Sequence, residues 1–415
     1  MKFGMLSIIF LLLVGCGGGG DSQLSQDTSC SVTRKTVTYP NDYLGGYAIP
    51  APSGKLPNQI ERSIDLKDYW PGISKLPSGC TDKILYSRNL YKETLDRIKE
   101  LGAETVWVTN YGPWADLNQV PWQLSSNVQI PEEELKFLVS EIKKRGMTVR
   151  FLWQMYNVDV KGNSYPSNFT ESQLDNWMLS HRNLMINLSK LSQQLNIDML
   201  AVDWQAFFIS NLSNDAILKE KYISALSSTI DEIKKNYSGK LLYGASGHSI
   251  GDPRILSKVD YVRSSLQIYL TEQEHSLLSV NTIKNKYIEH LRQFAELTNS
   301  FQAYPNLKLE VLSSVQSRDK YFLDGWVEDG FCVSSCIQNS YKTDFSVQAM
   351  GIEATFQAVI EQRLLPVTAI TVGPFWHTDD IKPTGLNTTL EFPNLSGSIR
   401  NKPAENIVKH WFSKN

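Results

Sequence analysis

This 415-residue chain lacks several sequence features, and their absence excludes the classes of function that depend on them. Its formal net charge is only −2 at pH 7, so it has no cationic field that would attract nucleic acid or an anionic membrane. It has no Gly-rich phosphate loop, nucleophile elbow or paired-histidine zinc motif, so the chemistries that depend on them have no support. What it has in quantity is aromatic residues, with 10 Trp and 18 Tyr. Such rings suit clefts that bind sugar faces, although large cores also bury many of them.

The longest apolar run near the N-terminus is too short to cross a bilayer as a stable helix. Lys2 precedes this run, Met5 to Val14, which leads into Gly15-Cys16. The spacing of charge, apolar core, small residue and cysteine resembles the lipobox of bacterial lipoproteins, in which Cys16 would be lipidated after cleavage. An ordinary signal peptide with a chance cysteine is the alternative. The sequence therefore predicts a signal peptide over 1–15, a lipidated flexible tether over 16–38 and a folded domain over 39–415.

Cysteine is scarce, and its distribution fits export. Apart from Cys16, the chain has four cysteines, which permit two disulfides and three connectivities in an oxidising compartment. The simplest arrangement pairs Cys30 with Cys80 and closes a small loop between Cys332 and Cys336. A metal site at Cys332 and Cys336 is the alternative, but no second Cys/His pair with ligand spacing lies nearby.

An alternation of amphipathic helices and short apolar strands predicts a parallel α/β fold. The segment Leu90 to Leu101 carries a helical apolar stripe that ends at Gly102, and the strand Thr105 to Thr109 follows it. Seven such alternations reach the C-terminus, and a first strand is expected before residue 90, near Gly46 to Ile49. We predict a single (β/α)8 TIM barrel. A doubly wound open sheet is the competitor, but the Gly-rich turn it would normally carry is absent.

Polar and aromatic residues at the C-terminal ends of these strands are the candidate ligand contacts, because barrel enzymes place their working residues there. Amides, aromatics and few cations suit a neutral polyhydroxyl ligand better than a phosphate. The predicted substrate-binding residues are Asn110, Tyr111, Trp153, Gln154, Gln205, His248, Tyr269 and Trp376.

Two acidic residues are embedded in apolar strands, where burial of a charge is costly without a reason. They are Asp203 in Leu-Ala-Val-Asp-Trp and Glu310 in Leu-Lys-Leu-Glu-Val-Leu. Hydrolysis of an acetal needs two carboxylates, one to protonate the departing oxygen and one to attack the anomeric carbon or activate water. The alternative for each is a buried carboxylate held by a barrel arginine or by backbone amides.

The order of segments over roughly residues 88–412 resembles glycoside hydrolase family 113, the β-mannanase-like members of clan A. Four segments carry the resemblance: Ile98 to Val108, Val259 to Leu270, Pro305 to Glu310 and Ser398 to Trp411. The resemblance implies a retaining (β/α)8 glycosidase with Glu310 as nucleophile. Two departures affect activity: Gln205 stands where the family places its acid/base glutamate, and Leu312-Ser313 replace the glycine and tyrosine expected after the nucleophile.

The leading hypothesis is an exported, retaining, endo-β-mannanase-like glycoside hydrolase with Glu310 as nucleophile and Asp203 as acid/base. The alternative is a non-catalytic glycan-binding lipoprotein on a degenerate hydrolase barrel, and a scaffold protein without glycan binding is a third possibility. We expect a carbohydrate ligand, no cofactor or metal, a monomer, and no membrane contact beyond the Cys16 lipid. The expected location is the cell envelope, at the outer membrane if the host is Gram-negative, because Gly rather than Asp follows Cys16.

Overall fold

The fold is a closed barrel of eight parallel strands in sequence order, as the sequence predicts. The computed structural model describes residues 28–34, 39–68, 76–114, 130–159, 168–203, 212, 214–244, 252–297, 303–326, 341–377 and 395–414. The strands are β1 (Glu61–Asp68), β2 (Thr105–Trp114), β3 (Thr148–Asp159), β4 (Met199–Asp203), β5 (Lys240–Gly244), β6 (Tyr261–Ser265), β7 (Lys308–Ser313) and β8 (Val367–Trp376). Pairing of β8 with β1 closes the barrel, so the sheet has no free edge.

Helices of the described chain surround this barrel. The longer ones are α1 (Lys83–Glu100), α2 (Glu132–Lys144), α3 (Glu171–Gln194), α4 (Ala216–Asn236), α7 (Val280–Leu297), α9 (Phe345–Glu361) and α10 (Pro403–Phe412). Short helices α5 (Pro253–Leu256), α6 (Glu272–Ser276) and α8 (Tyr321–Asp324) lie in connections. None of the helices in these ranges combines the length and apolar character needed to cross a membrane.

The helix ends follow local sequence signals. Asp82 caps α1 by accepting a hydrogen bond from the Leu85 amide, and Thr170 forms a capping box with Gln173 at the start of α3. Gly102 follows α1 with a φ of +90°, where a β-carbon would lie 2.7 Å from the Phe412 carbonyl oxygen. Both the backbone conformation and the close approach of α10 therefore require glycine at this position.

The first strand lies at Glu61–Asp68, so the sequence-based placement near Gly46 to Ile49 is wrong. This strand alternates apolar and polar residues. Ile64 and Leu66 belong to the core between barrel and helices, whereas Asp65 lies inside the barrel, where it accepts a hydrogen bond from Thr109. A strand with charged residues on its inner face lacks the continuous apolar run that identifies the other barrel strands.

The chain before β1 crosses the outside of the barrel. A disulfide joins Cys30 to Cys80, which confirms this half of the predicted cysteine pairing. Further on, the Ser53 amide and hydroxyl donate to Glu353 of α9 at 3.0 and 2.7 Å, and the Leu56 amide donates to the Trp411 carbonyl of α10. These contacts hold the segment against the helices next to the barrel's closing seam.

Candidate functional site

Glu310 lies at the third position of β7, inside the barrel and fully buried. Its Oε1 accepts hydrogen bonds from the Trp107 indole at 3.0 Å, Arg263 Nε at 2.9 Å and Thr371 Oγ1 at 2.6 Å. Its Oε2 accepts from Arg150 Nη1, and Arg263 Nη2 lies 2.7 Å from Oε1. Both carboxylate oxygens are therefore bound by side chains of four other strands.

These contacts form an ion network inside the barrel. Arg150 also donates to Glu61 on β1, and the Arg263 guanidinium lies 4.0 Å from the centroid of the Trp107 ring. Burial alone would raise the pKa of Glu310, but the charges of Arg263 and Arg150 outweigh it and lower that pKa below its usual range. The carboxylate is ionised, yet no surface of it is available to a sugar.

Asp203, the last residue of β4, is directed toward the helices instead of the barrel interior. The β4–β5 register shifts between Ala201 and Asp203, so Asp203 pairs with Tyr243, a member of the core between barrel and helices. The Asp203 carboxylate accepts a hydrogen bond from the Tyr222 hydroxyl of α4, and its side chain is 3% exposed. The bulge accounts for this orientation, because an extra residue reverses which face the following side chain takes.

The structure therefore does not bring Asp203 and Glu310 together in an open cleft. Glu310 lies within the barrel interior and is bound by arginines, whereas Asp203 contacts α4 outside the barrel. We correct the expectation that both acids face one shared cavity. For Glu310 the structure matches the alternative considered for the sequence, a buried carboxylate held by barrel arginines. Asp203 is also buried, but its carboxylate accepts from a tyrosine hydroxyl instead of an arginine.

Two of the predicted sugar contacts also point away from the mouth of the barrel. Trp153 belongs to the core between barrel and helices together with Phe151, and it is 5% exposed. Asn110 pairs with Trp153 across β2 and β3 and is 4% exposed. Period-2 alternation places both on the outer face of the wall. We therefore assign Asn110 and Trp153 to the wall of the barrel instead of to the ligand contacts predicted from the sequence.

Tyr269, in contrast, keeps an exposed ring near the mouth. It lies in the connection after β6 and is 61% exposed, with its ring against Gly325 in the connection after β7. Gln154, on the same strand as Trp153 but on the opposite face, is half-buried. Trp376 is only 1% exposed and pairs with Lys67 of β1, so it is part of the wall of the mouth in this structure.

Several predicted residues lie outside what the structure describes. These are Gln205, His248, Cys16, Cys332 and Cys336, and for Tyr111 the backbone alone is described. Their predicted roles stay predictions. Within the described ranges, no group of three or more His, Cys, Asp or Glu side chains could hold a metal ion.

The sequence interpretation missed three residues at the mouth: Asp65, Lys67 and Trp326. Asp65 and Lys67 are buried on β1, and the Lys67 ammonium lies 5.3 Å from the centroid of the half-buried Trp326 ring. Burial raises the pKa of Asp65, against the opposing effects of the Lys67 charge and the hydrogen bond from Thr109. The alternation of apolar Ile64 and Leu66 with polar Asp65 and Lys67 is the sequence signal that could have identified this strand.

Comparison with known proteins supports the barrel fold. No protein-family model matches the chain, and no curated protein matches it. Among solved structures, a GH113 β-1,4-mannanase complex is 14% identical, with a TM-score of 0.58 over 86% of this chain and 99% of that one. The GH113 β-mannanase AaManA from Alicyclobacillus acidocaldarius, in complex with ManMIm, is 15% identical, with a TM-score of 0.53 over 85% and 96%. The chain thus shares the (β/α)8 barrel fold of these GH113 β-mannanase structures, in line with the fold that the order of sequence segments predicted.

Proposed function

We propose that this chain is a glycan-binding protein built on a glycoside hydrolase barrel, which holds a carbohydrate chain at the C-terminal mouth of the barrel. The likeness in fold to β-1,4-mannanases supports carbohydrate as the ligand class. The exposed Tyr269 ring and the nearby Trp326 supply surfaces on which sugar rings can pack. Mannan is the first ligand to test.

One observation carries the choice of binding over hydrolysis: the Glu310 carboxylate is fully buried between Arg150 and Arg263. A retaining nucleophile must approach the anomeric carbon, and the two carboxyl groups of a retaining pair lie about 5 to 5.5 Å apart. Glu310 is inaccessible to substrate, and Asp203 contacts a helix on the other side of the wall.

Retaining endo-β-mannanase activity is the second candidate, favoured by the fold of the neighbours alone. A panel of neutral polysaccharides tested by affinity electrophoresis, together with aryl β-glycosides as chromogenic substrates, separates the two functions. The proposal expects retardation by at least one polysaccharide and no release of the chromophore. Chromophore release above the level of a heat-denatured sample would favour the hydrolase, and a lack of retardation by every polysaccharide would favour the scaffold alternative.

We further propose that the barrel is exported and anchored through a lipid on Cys16. The disulfide between Cys30 and Cys80 supports export, because such bonds persist in oxidising compartments. Expression with a radiolabelled fatty acid tests the anchor. Label should enter the wild-type chain and be lost in Cys16→Ser, and label retained in Cys16→Ser would refute lipidation at this residue. Fractionation of the labelled cells then tests the proposed outer-membrane location.

A further inference from the structure

The end of the barrel opposite the mouth carries lysines at two inward-facing strand positions. Lys240 is the first residue of β5 and Lys308 the first of β7, and both side chains are exposed. Each lysine lies two positions before a residue inside the barrel, Leu242 on β5 and Glu310 on β7, so period-2 alternation directs both lysines toward the barrel axis. Branched apolar residues are the usual occupants of inward positions, so a pair of lysines here calls for an explanation.

The two lysines share one aromatic ring with a third cation. Tyr261 is the first residue of β6, the strand between β5 and β7. The Lys240 and Lys308 ammonium nitrogens lie 5.9 and 5.6 Å from the centroid of its ring. The guanidinium carbon of Arg150 lies 5.1 Å from the same centroid. Attraction to the ring therefore gathers three positive charges that repel one another.

The carboxylates inside this half of the barrel are already bound by arginines. Glu61 forms an ion pair with Arg150. Glu310 is held by Arg150 and Arg263. Two carboxylates thus match two guanidinium groups, and neither lysine makes an ion pair within the part of the chain that the structure describes. Two positive charges at inward-facing positions are left without a carboxylate partner.

Two exposed aspartates also lie at this end of the barrel, but they are directed toward the helices. Asp198 precedes β4 and Asp260 precedes β6. Their carboxylates accept the backbone amides of Val149 and Leu241, respectively, each at 2.8 Å. Burial, together with the charges of both aspartates, raises the pKa of Tyr237, a residue of the core between barrel and helices. The acids of the rim therefore lie toward the outer side of the wall.

We propose that Lys240 and Lys308 form a binding site for a phosphate group at the end of the barrel opposite the mouth. A dianion between the two ammonium groups neutralises both unpaired charges, and its tetrahedral oxygens accept hydrogen bonds from each lysine. Inorganic phosphate and the phosphomonoester of an organic molecule share this chemistry. The site is separate from the mouth and does not depend on the proposed glycan binding.

Titration calorimetry at mildly alkaline pH, where phosphate is mainly a dianion, tests the site with inorganic phosphate, glycerol 3-phosphate and formate. We expect saturable binding of phosphate to wild-type protein and about tenfold weaker binding of formate, because a monoanion neutralises only one of the two charges. The Lys240→Met, Lys308→Met double variant should bind phosphate about tenfold or more weakly than wild type. Tighter binding of glycerol 3-phosphate than of inorganic phosphate identifies an organic phosphomonoester as the ligand, and the reverse order identifies free phosphate.

A Lys92→Met, Lys235→Met double variant is the matched control, since it removes the same charge from the helices. Lys92 is exposed and lies 5.8 Å from the centroid of the Phe137 ring, and Lys235 is an exposed residue of α4. This replacement should change phosphate affinity less than about twofold. Thermal unfolding of each variant shows whether it is folded, and Lys240→Gln, Lys308→Gln supplies a more soluble test should the methionine variant aggregate.

Three results would overturn the phosphate site. Wild-type protein that binds neither phosphate probe refutes it outright. Equal weakening in the two double variants shows that phosphate responds only to net charge, and formate bound as tightly as phosphate contradicts a site for a dianion. Polysaccharide retardation should be the same for wild type and the Lys240→Met, Lys308→Met variant, so failure of this inference leaves the proposed glycan binding intact.

Discussion

At the scale of single residues, the partners of a buried carboxylate depend on which face of its strand it occupies. Glu310 points inward and neutralises two arginines, while Asp203, displaced by a bulge, contacts a tyrosine of α4. The sequence correctly marked both acids as unusual because they interrupt apolar strands. It could not distinguish catalysis from structure, because the partners of Glu310 come from strands separated widely along the chain.

Replacement of Glu310 is expected to destabilise the fold. Glu310→Gln leaves Arg150 and Arg263 without their shared carboxylate, and loss of one partner from a buried ion pair costs about 3 to 5 kcal/mol. Denaturant unfolding measures this loss. Glu361→Gln is the control, because Glu361 is half exposed and pairs with Lys284 at the surface, where such pairs contribute about 1 kcal/mol or less. Equal stabilities for the two variants would contradict the structural role of Glu310.

At the scale of elements, the sequence predicted helices well because their ends carry local signals. The helical stripe predicted over Leu90 to Leu101 forms the C-terminal half of α1, and Gly102 follows it with a positive φ as its position after the stripe indicates. The first strand was missed because its inner face is charged. Those charges are acceptable only once the barrel supplies partners for them, which local patterning does not reveal.

The disulfide of the N-terminal segment is a second feature at this scale. Cys30 and Cys80 are 50 residues apart, and closure of a loop of that length stabilises a fold by about 4 kcal/mol in the chain-entropy model. The Cys30→Ser, Cys80→Ser double variant should therefore unfold at a clearly lower temperature than wild type in calorimetry. Wild-type protein treated with reductant should shift by a similar amount. An unchanged unfolding temperature in both samples would show that the bond does not constrain the fold.

At the scale of the whole molecule, stability should decline as the pH falls through the mildly acidic range. Burial lowers the pKa of both His181 and His377 to about 4, so the folded protein holds both rings neutral. Below about pH 6.5 the unfolded chain binds protons that the folded chain does not. The contribution of these histidines is complete above that pH and is lost progressively toward pH 4.

The loss amounts to as much as about 3 kcal/mol for each histidine. Asp65 acts with the opposite sign, since its raised pKa lets the folded state take up a proton first, so the histidine effect must be isolated by mutation. Chemical unfolding from pH 7 to pH 4 should show a shallower decline in a folded His181→Gln, His377→Gln variant than in wild type. Parallel declines in the two proteins would refute this assignment.

Our central proposal is that the barrel binds a glycan without cleaving it. Its most direct test is chromatographic analysis of β-1,4-mannohexaose recovered after prolonged incubation at saturating protein, with binding followed in the same sample. We predict saturable binding and recovery of the intact hexamer. Shorter oligosaccharides formed by wild-type protein, and absent with a folded Glu310→Gln variant, would contradict the account and restore Glu310 as a catalytic residue.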